Sequence, residues 1–437
     1  MDKSAALTSE RPAIALLHWG DVIEDFLDPL GLTVERFRDE LTGGWMFGYV
    51  EALERAGVDT VLVCVSRDVK VPVRTVHAPT GARMILVPAT RAYRRLRGLL
   101  REPYAWTARD AAPPGGPATR ASAAIARELA PYAATPARAL ADILRRERCS
   151  ALLCQEYEHG RFDVAVFVGR LLGIPVFATF QGGSVQRVRL ERPLRPLALR
   201  ACAGLVVGSS VEARRVASRY RLPPRKLARI FNPLDVSRFS TDARDATRAE
   251  LGIPENGLVV VWHGRVDFGV KGLDVLLAAW DELRTSASRA DDRLLLVGSG
   301  DGNEELRAWT LARTDLIWID RYELDRGQLA AFLAAGDVYA FPSRREGFQV
   351  APVEAMAAGL PVVMTSVGAA TDILERGEES GGLLVPPDDP AALAAALRRL
   401  LDDVGLRKQL SRSARRRAGD FSHETVGGQL RDFMLGA

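Results

Sequence analysis

The chain has 437 residues, 47% hydrophobic and 26% charged, which excludes wholesale disorder and is more than one ordinary hydrophobic core holds, so two domains are expected. A formal net charge of +4 spread over such a surface is no dense basic face, which argues against nucleic acid and fits a small polyanion such as a diphosphate equally well. Four cysteines (Cys64, Cys149, Cys154, Cys202) lack metal-ligand spacing and read as buried or idle thiols of a reducing cytosol. No apolar run approaches the roughly 18 residues that span a bilayer, and the first residues carry no long apolar stretch, so a cytoplasmic location is expected.

In chain order, short apolar runs begin at Ala13, Thr60, Ala82, Ala151, Pro175 and Gly204, each followed by a turn and an amphipathic stretch. Runs of this kind, separated by helices, imply parallel strands buried on both faces. The stretch 111–124 is rich in Pro, Gly and Ala and reads as a mobile loop within the first domain. Paired prolines near residues 222–235 mark a boundary, and strand candidates then restart at Leu258, Leu294, Leu316, Val338, Pro361 and Gly382. The expected class is α/β, with two doubly wound, Rossmann-like domains facing a cleft. Their expected spans are 1–225 and 226–418, with a terminal helix over 419–437 crossing back to the first domain. Ligands of open parallel sheets bind beyond the carboxyl ends of the strands, which directs attention to the residues just after each run.

After the run at Leu258 come Arg265 and Lys271, two cations beside a helix start. A guanidinium fork, an ammonium point charge and free helix N–H groups together suit a diphosphate; the same two residues also suit a solvated loop. After the run at Val338 the loop carries Glu346, Gly347 and Phe348, a helix begins near Pro352, and Glu354 falls in its first turn. Gly347 permits close backbone approach, and the N–H groups around Gln349, Val350 and Ala351 can face a phosphate. Glu346 can accept hydrogen bonds from vicinal sugar hydroxyls. Taken alone, Glu354 is equally a first-turn acid that favours the helix dipole, and Glu346 an exposed loop acid. Gly298, Gly300 and Gly302 resemble a dinucleotide fingerprint, but Asn303 occupies the place of its third glycine, so a nicotinamide enzyme is disfavoured.

In the first half, Gly43 and Gly44 precede a helix and offer either a ligand-approaching loop or a plain helix start. His18, Glu156 and His159 follow strand ends, where they either face an acceptor or serve the fold. The Arg-rich segment from Arg91 reads either as a solvated basic helix face or as a peripheral contact with an anionic membrane surface.

Together these motifs resemble glycosyltransferase family 4, the retaining GT-B enzymes, over nearly the whole chain and most densely from Asn232 to Pro387. The resemblance rests on Gly264-Arg265 with Lys271-Gly272, on Glu346 and Glu354 in REGFQVAPVEAMA, on the NPLD turn with Phe239, on VGSSVEARRV and on GGLLVPPDDPAALAAAL. It implies a glycosyltransferase that takes a nucleotide-diphosphate sugar as substrate, with no metal and no other cofactor. Arg265 and Lys271 would hold the diphosphate. Glu346 and the backbone after it would hold the sugar, with Gly264 and Gly298 lining the donor site. Glu354 would bind the ribose, and Arg321 and Tyr322 would face the base. On the acceptor side would lie Gln181, which stands where many members have a histidine, and Gly182 after it. Gln349 replaces the usual glycine, Asp372 stands where the family often has Glu, and the loop from Arg265 to Lys271 is one residue longer. The acceptor is expected to be a glycan, a lipid-linked saccharide or a small molecule, with no nucleic acid as partner. A non-catalytic nucleotide-sugar-binding protein of the same fold is the alternative.

Overall fold

A computed structural model describes residues 11–28, 31–42, 44–105 (44 and 45 as main chain only), 107–180, 188–239, 242–285, 289–311, 313–321, 323 and 325–436. The chain divides into two compact units. The first contains Met1–Val207, Ala213–Ile230 and Gly427–Ala437; the second contains Gly208–Glu212 and Phe231–Val426.

The first unit is built on an eight-stranded sheet: β1 (Ala13–Leu17), β2 (Asp59–Ser66), β3 (Val73–Val76), β4 (Arg83–Pro88), β5 (Cys149–Cys154), β6 (Val176–Phe180), β7 (Gly204–Val207) and β8 (Leu227–Arg229). Their spatial order is β3-β4-β2-β1-β5-β6-β7-β8, and all neighbours are parallel except β3 with β4. Every strand expected in this half is present. The two unexpected ones are edge strands. β3 is four residues long and mostly exposed, so it lacks the continuous apolar signature of a buried strand. β8 has three residues, too few for any period to register.

The second unit carries six parallel strands: β9 (Val259–His263), β10 (Arg293–Val297), β11 (Leu316–Ile319), β12 (Val338–Phe341), β13 (Val362–Thr365) and β14 (Gly382–Val385), ordered β11-β10-β9-β12-β13-β14. This is the doubly wound order, in which the direction of sheet growth reverses between β9 and β12. Alternate residues of each strand enter different cores. Val259 and Val261 of β9, with Tyr339 and Phe341 of β12, pack on one side, while Val260, Trp262, Val338 and Ala340 pack on the other. Burial on both faces is why these strands read as unbroken apolar runs. The helices Leu273–Arg284 and Pro390–Asp402 cover one face and Arg326–Ala334 and Val350–Ala357 the other, while Val404–Ala418 sends Leu410 to the core of the former and Ala414 and Ala418 to that of the latter.

Two local expectations need correction. Only the first part of the stretch 111–124 is a loop, because a helix begins at Pro117 and runs to Ala134. Proline at the first helical position is preorganised for the turn, and the alanines that follow are the strongest helix formers, which outweighs the loop-like composition. The helix expected near Pro352 begins at Val350, so Glu354 lies beyond the first turn and its carboxylate answers to tertiary partners instead of the helix dipole. The last helix, His423–Leu435, lays Phe433 edge-on against Phe177 at 5.3 Å in the first unit. Among the described residues no helix is long and apolar enough to cross a membrane, and all four cysteines are buried and free.

The loops after β9 and β10 are knitted main chain to main chain: Gly264 N–H donates to Val297 O (3.0 Å) and Val266 N–H to Ser299 O (3.2 Å). Gly298 has φ +154°, and a Cβ there would lie 1.8 Å from the carbonyl oxygen of Gly264. Gly298→Ala therefore forces the two loops apart and is expected to cost about 2–3 kcal/mol in urea unfolding. Gly428→Ala, in a helix with open space around it, is the control and is expected to be neutral or mildly stabilising.

Candidate functional site

In the second unit, the ends of β9 and β12 flank the reversal of strand order, where an open α/β sheet leaves a crevice. β9 delivers His263, Gly264 and Arg265; β12 delivers Ser343 and the loop through Gln349. A buried carboxylate, Glu354, stands beside them. Its Oε2 meets His263 Nε2 at 2.9 Å and its Oε1 accepts from Arg326 at 2.6 Å. Burial pushes the Glu354 carboxyl up, but the Arg326 charge and the His263 hydrogen bond outweigh it and hold it below its ordinary value. Arg326 is the first residue of a helix whose cap, Asp325, accepts from the main chain of Gly327 at 2.8 Å. Three elements thus converge on one carboxylate. Neither His263 nor Arg326 stood out in the sequence. The signal for His263 was its position at the last residue of a strand before Gly-Arg; nothing local marked Arg326, which lies 28 residues before its partner.

Nearer the surface, Lys271 Nζ donates to Glu346 Oε1 at 2.7 Å. Arg265 is exposed and reaches Asp267 at 2.9 Å, while Asp267 also caps the short helix Phe268–Lys271 through Val270 N–H. Arg265, Lys271, Glu346 and Glu354 therefore all stand in the loops and helix that follow β9 and β12, with the nearer pair in direct contact. Arg344, which the sequence reading passed over, holds these loops together. Its guanidinium donates to both carboxylate oxygens of Asp274 (2.9 and 2.6 Å), to Phe268 O (2.5 Å) and to Asp388. Its main-chain N–H donates to Val270 O at 2.8 Å. Gly272, at φ +63°, lets this turn close on Pro342, whose carbonyl oxygen would lie 2.2 Å from a Cβ.

The residues after Glu346 divide by atom type. Phe348 sends its ring into an aromatic cluster with Phe231 (5.8 Å) and Phe421 (6.2 Å), so it offers a ligand only its main chain. Gln349 is buried; its amide donates to Val367 O (2.5 Å) and accepts from Ala369 N–H (3.1 Å), so its side chain braces the next loop. Gly347 carries no side chain. The opening N–H groups of the helix Val350–Ala357 at Val350 and Ala351 have no intrahelical acceptors. Two buried polar atoms near the crevice, Ser343 Oγ and His263 Nδ1, have no hydrogen-bond partner among the described residues. Buried polar atoms of that kind call for an occupant.

Asn303 shows what the altered glycine fingerprint does. Its Oδ1 accepts from Gly300 N–H at 2.8 Å and its amide donates to Ser299 Oγ and Asp320, both at 2.7 Å. Gly300 and Gly302 press against Val266 and Phe268. The glycines thus serve the packing of one loop on the next. Arg321 follows β11 and pairs with Glu323 at 2.7 Å on the surface; Tyr322 lies outside the described residues, as do Gln181 and Gly182.

In the first unit the strand order reverses between β1 and β5. His18 is engaged at both ring nitrogens: Nε2 accepts from Val65 N–H at 3.0 Å and Nδ1 meets Trp19 O. Burial, with the Arg161 charge beside it, holds the imidazole well below its usual range. The imidazole is therefore neutral, with both ring nitrogens held by main chain. Glu156 is buried at φ +82°, a left-handed conformation rare for a residue with a side chain. His159 is partly exposed and meets Trp19 edge-on at 5.5 Å, and Trp19 stacks on Tyr104 at 5.8 Å. Gly44 opens the helix Gly44–Arg55 as its first residue.

Residues 257–403 match the family model described as Glycosyl transferases group 1, a stretch that contains Arg265, Lys271, Glu346 and Glu354. The D-inositol 3-phosphate glycosyltransferase of Salinispora arenicola is 36% identical over 244 residues, 52% of this chain and 53% of that protein. Its counterpart in a Nocardioides species is 31% identical over 242 residues, 52% of each. The chain thus spans about half the length of the curated relatives it matches. Among solved structures, sucrose-phosphate synthase of Thermosynechococcus elongatus superposes with a TM-score of 0.65 at 22% identity, covering 98% of this chain and 100% of that one. Anabaena HepE in complex with UDP-glucose does so at 0.63 and 14%, covering 97% and 100%. The fold is the two-domain α/β architecture of the GT-B glycosyltransferases.

Glu354 is held ionised by its partners, so the sign of its pH dependence follows. A carboxyl whose folded value is depressed adds stability above its ordinary value of 4.5 and loses it as pH falls through the folded value. Arg326→Met is expected to cost on the order of 2–3 kcal/mol at pH 7. In urea unfolding that difference should shrink steadily below about pH 4.5; a pH-independent difference would show that the charge pair is not its origin.

Proposed function

We propose that the chain is a glycosyltransferase of family 4 that moves a sugar from a nucleotide diphosphate to an acceptor hydroxyl, with retention of configuration and without a metal. What supports this reading is that Arg265, Lys271, Glu346 and Glu354 all follow β9 and β12 at the strand-order reversal, with Lys271 and Glu346 in contact at 2.7 Å, within the stretch that matches the group 1 glycosyl transferases.

On this reading the Lys271–Glu346 pair of 2.7 Å is the resting state of the donor site. The arriving donor divides the pair. Lys271 turns to the diphosphate, together with exposed Arg265, and Glu346 accepts hydrogen bonds from the sugar hydroxyls. The main-chain N–H groups of Gly347 to Ala351 add neutral donors at the helix start. Glu354 takes the ribose, and its two existing partners keep it a hydrogen-bond acceptor. As the bond between the anomeric carbon and the diphosphate oxygen breaks, negative charge gathers on the leaving group. Fixed cations then stabilise the transition state more than the ground state, the condition for catalysis. The acceptor oxygen bonds to the anomeric carbon from the face that the diphosphate leaves, and its proton passes to the departing phosphate oxygen. The first unit would supply the acceptor site, with Glu156 and His159 beyond β5 the residues to examine. D-inositol 3-phosphate, the acceptor that names the relatives, is the first compound to try.

A thermal-shift screen with UDP-, GDP- and ADP-sugars should reveal one donor class, because a ligand of the folded state raises the apparent melting temperature. With that donor and a productive acceptor, Arg265→Ala and Glu346→Gln are expected to lower turnover by about a hundredfold or more while the fold persists. Activity should withstand a chelator, and NMR of the product should show the donor's anomeric configuration. Full activity in both variants refutes the site, and an inverted product refutes the mechanism.

A further inference from the structure

The first unit carries a surface that neither the donor site nor an acceptor crevice requires. It lies on the helices Gly160–Leu172 and Glu191–Ala201, which Arg195 and Asp163 pin together through a buried ion pair of 2.8 Å. Phe167 and Leu171, four residues apart on one helix face, are 62% and 69% exposed; Leu197, on the second helix, is 60% exposed. Solvent exposure of three large apolar side chains on two adjoining helices is costly unless something covers them. Between the helices lies an open depression of about 630 Å³ at the amino ends of β6 and β7, with Val166, Ile174 and Val176 inside it. Arg170, Arg200 and Lys226 also line it, and among the described residues no carboxylate does. Lys226 spends part of its capacity on the carbonyl oxygens of Arg200 and Cys202 (2.5 and 2.6 Å). Arg170 and Arg200 are exposed. The nearby acids Asp163 and Glu191 are buried or partly buried beside Arg195.

We propose that this face rests on an anionic lipid bilayer, with Phe167, Leu171 and Leu197 entering the acyl boundary and Arg170 and Arg200 at the headgroup phosphates. Apolar side chains flanked by arginines match the layering of a membrane interface. A symmetric second copy fits poorly, because it would set like charges against each other across the contact. The helix Arg91–Arg97 is the weaker membrane candidate. Its Tyr93 is buried and Leu96 packs on the core, so its apolar side is already used and its arginines stand as a solvated face. The proposal does not depend on the catalytic reading.

Sedimentation with vesicles tests it on the full chain. Binding is expected to vesicles of equal parts phosphatidylglycerol and phosphatidylcholine, to weaken with salt, and to be far lower on phosphatidylcholine alone. Phe167→Asp with Leu197→Asp should lower partitioning at least about tenfold, and R170E/R200E should weaken it comparably. R94E/R95E should leave it unchanged, with circular dichroism confirming the fold of each variant. The proposal is overturned if the chain ignores anionic vesicles, if both patch variants bind as the parent does, or if only R94E/R95E abolishes binding. It is equally overturned if gel filtration shows a dimer that the patch variants dissolve and no vesicle binding accompanies it.

Discussion

A buried negative charge organises the second unit. Taking a carboxylate out of water costs several kcal/mol unless its oxygens find charged or hydrogen-bonding partners. Glu354 finds them in His263 and Arg326, contributed by the end of a strand and the start of another helix. The compensation works only when the strand end and both helices keep their places, so the ion pair sets the mutual position of the elements that frame the crevice. It also leaves a carboxylate charged at neutral pH beside the loops that carry Arg265, Lys271 and Glu346, where a neutral acid would be a poorer acceptor.

A second layer of constraint holds those loops. Arg344 joins the β12 loop to the short helix Phe268–Lys271 and to the first turn of the helix Leu273–Arg284, and glycines let main chain approach main chain where any Cβ would collide. The cations of the site are therefore borne on braced loops. Preorganised charge is what electrostatic catalysis requires, since it spends no reorganisation energy when the leaving group departs. Asn303 follows the same logic: a residue that departs from a dinucleotide fingerprint is used to tie the loop after β10 to the loop after β11.

The first unit repeats the architecture with different chemistry. Its strand-order reversal is lined by a neutral histidine engaged at both ring nitrogens, an aromatic group and a glutamate at positive φ, and the charge pair beyond β5 is Arg215 with Glu158 at 2.8 Å. The match to the curated relatives spans only about half of the chain, whereas the likeness to solved structures spans nearly all of it. Fold is preserved by patterns of burial that many sequences satisfy, while recognition of a ligand rests on particular side chains.

The strands that are buried on both faces are legible in the amino-acid sequence, because apolar continuity is imposed residue by residue and is visible locally. Gly-Arg, Lys-Gly and the two glutamates are legible for a related reason: each falls in the segment that follows a strand end marked by an apolar run. The edge strands β3 and β8 escaped notice because an exposed or three-residue strand leaves no period. His263, Arg326 and Arg344 escaped because their roles are defined by partners 28 to 91 residues away. Whether Glu354 is a dipole-favouring surface acid or a buried, paired one, and whether Gln349 faces a ligand or a neighbouring loop, are questions of burial and long-range contact. Tertiary structure decides these, since the cost of desolvating a charge or an amide depends on what the fold brings beside it.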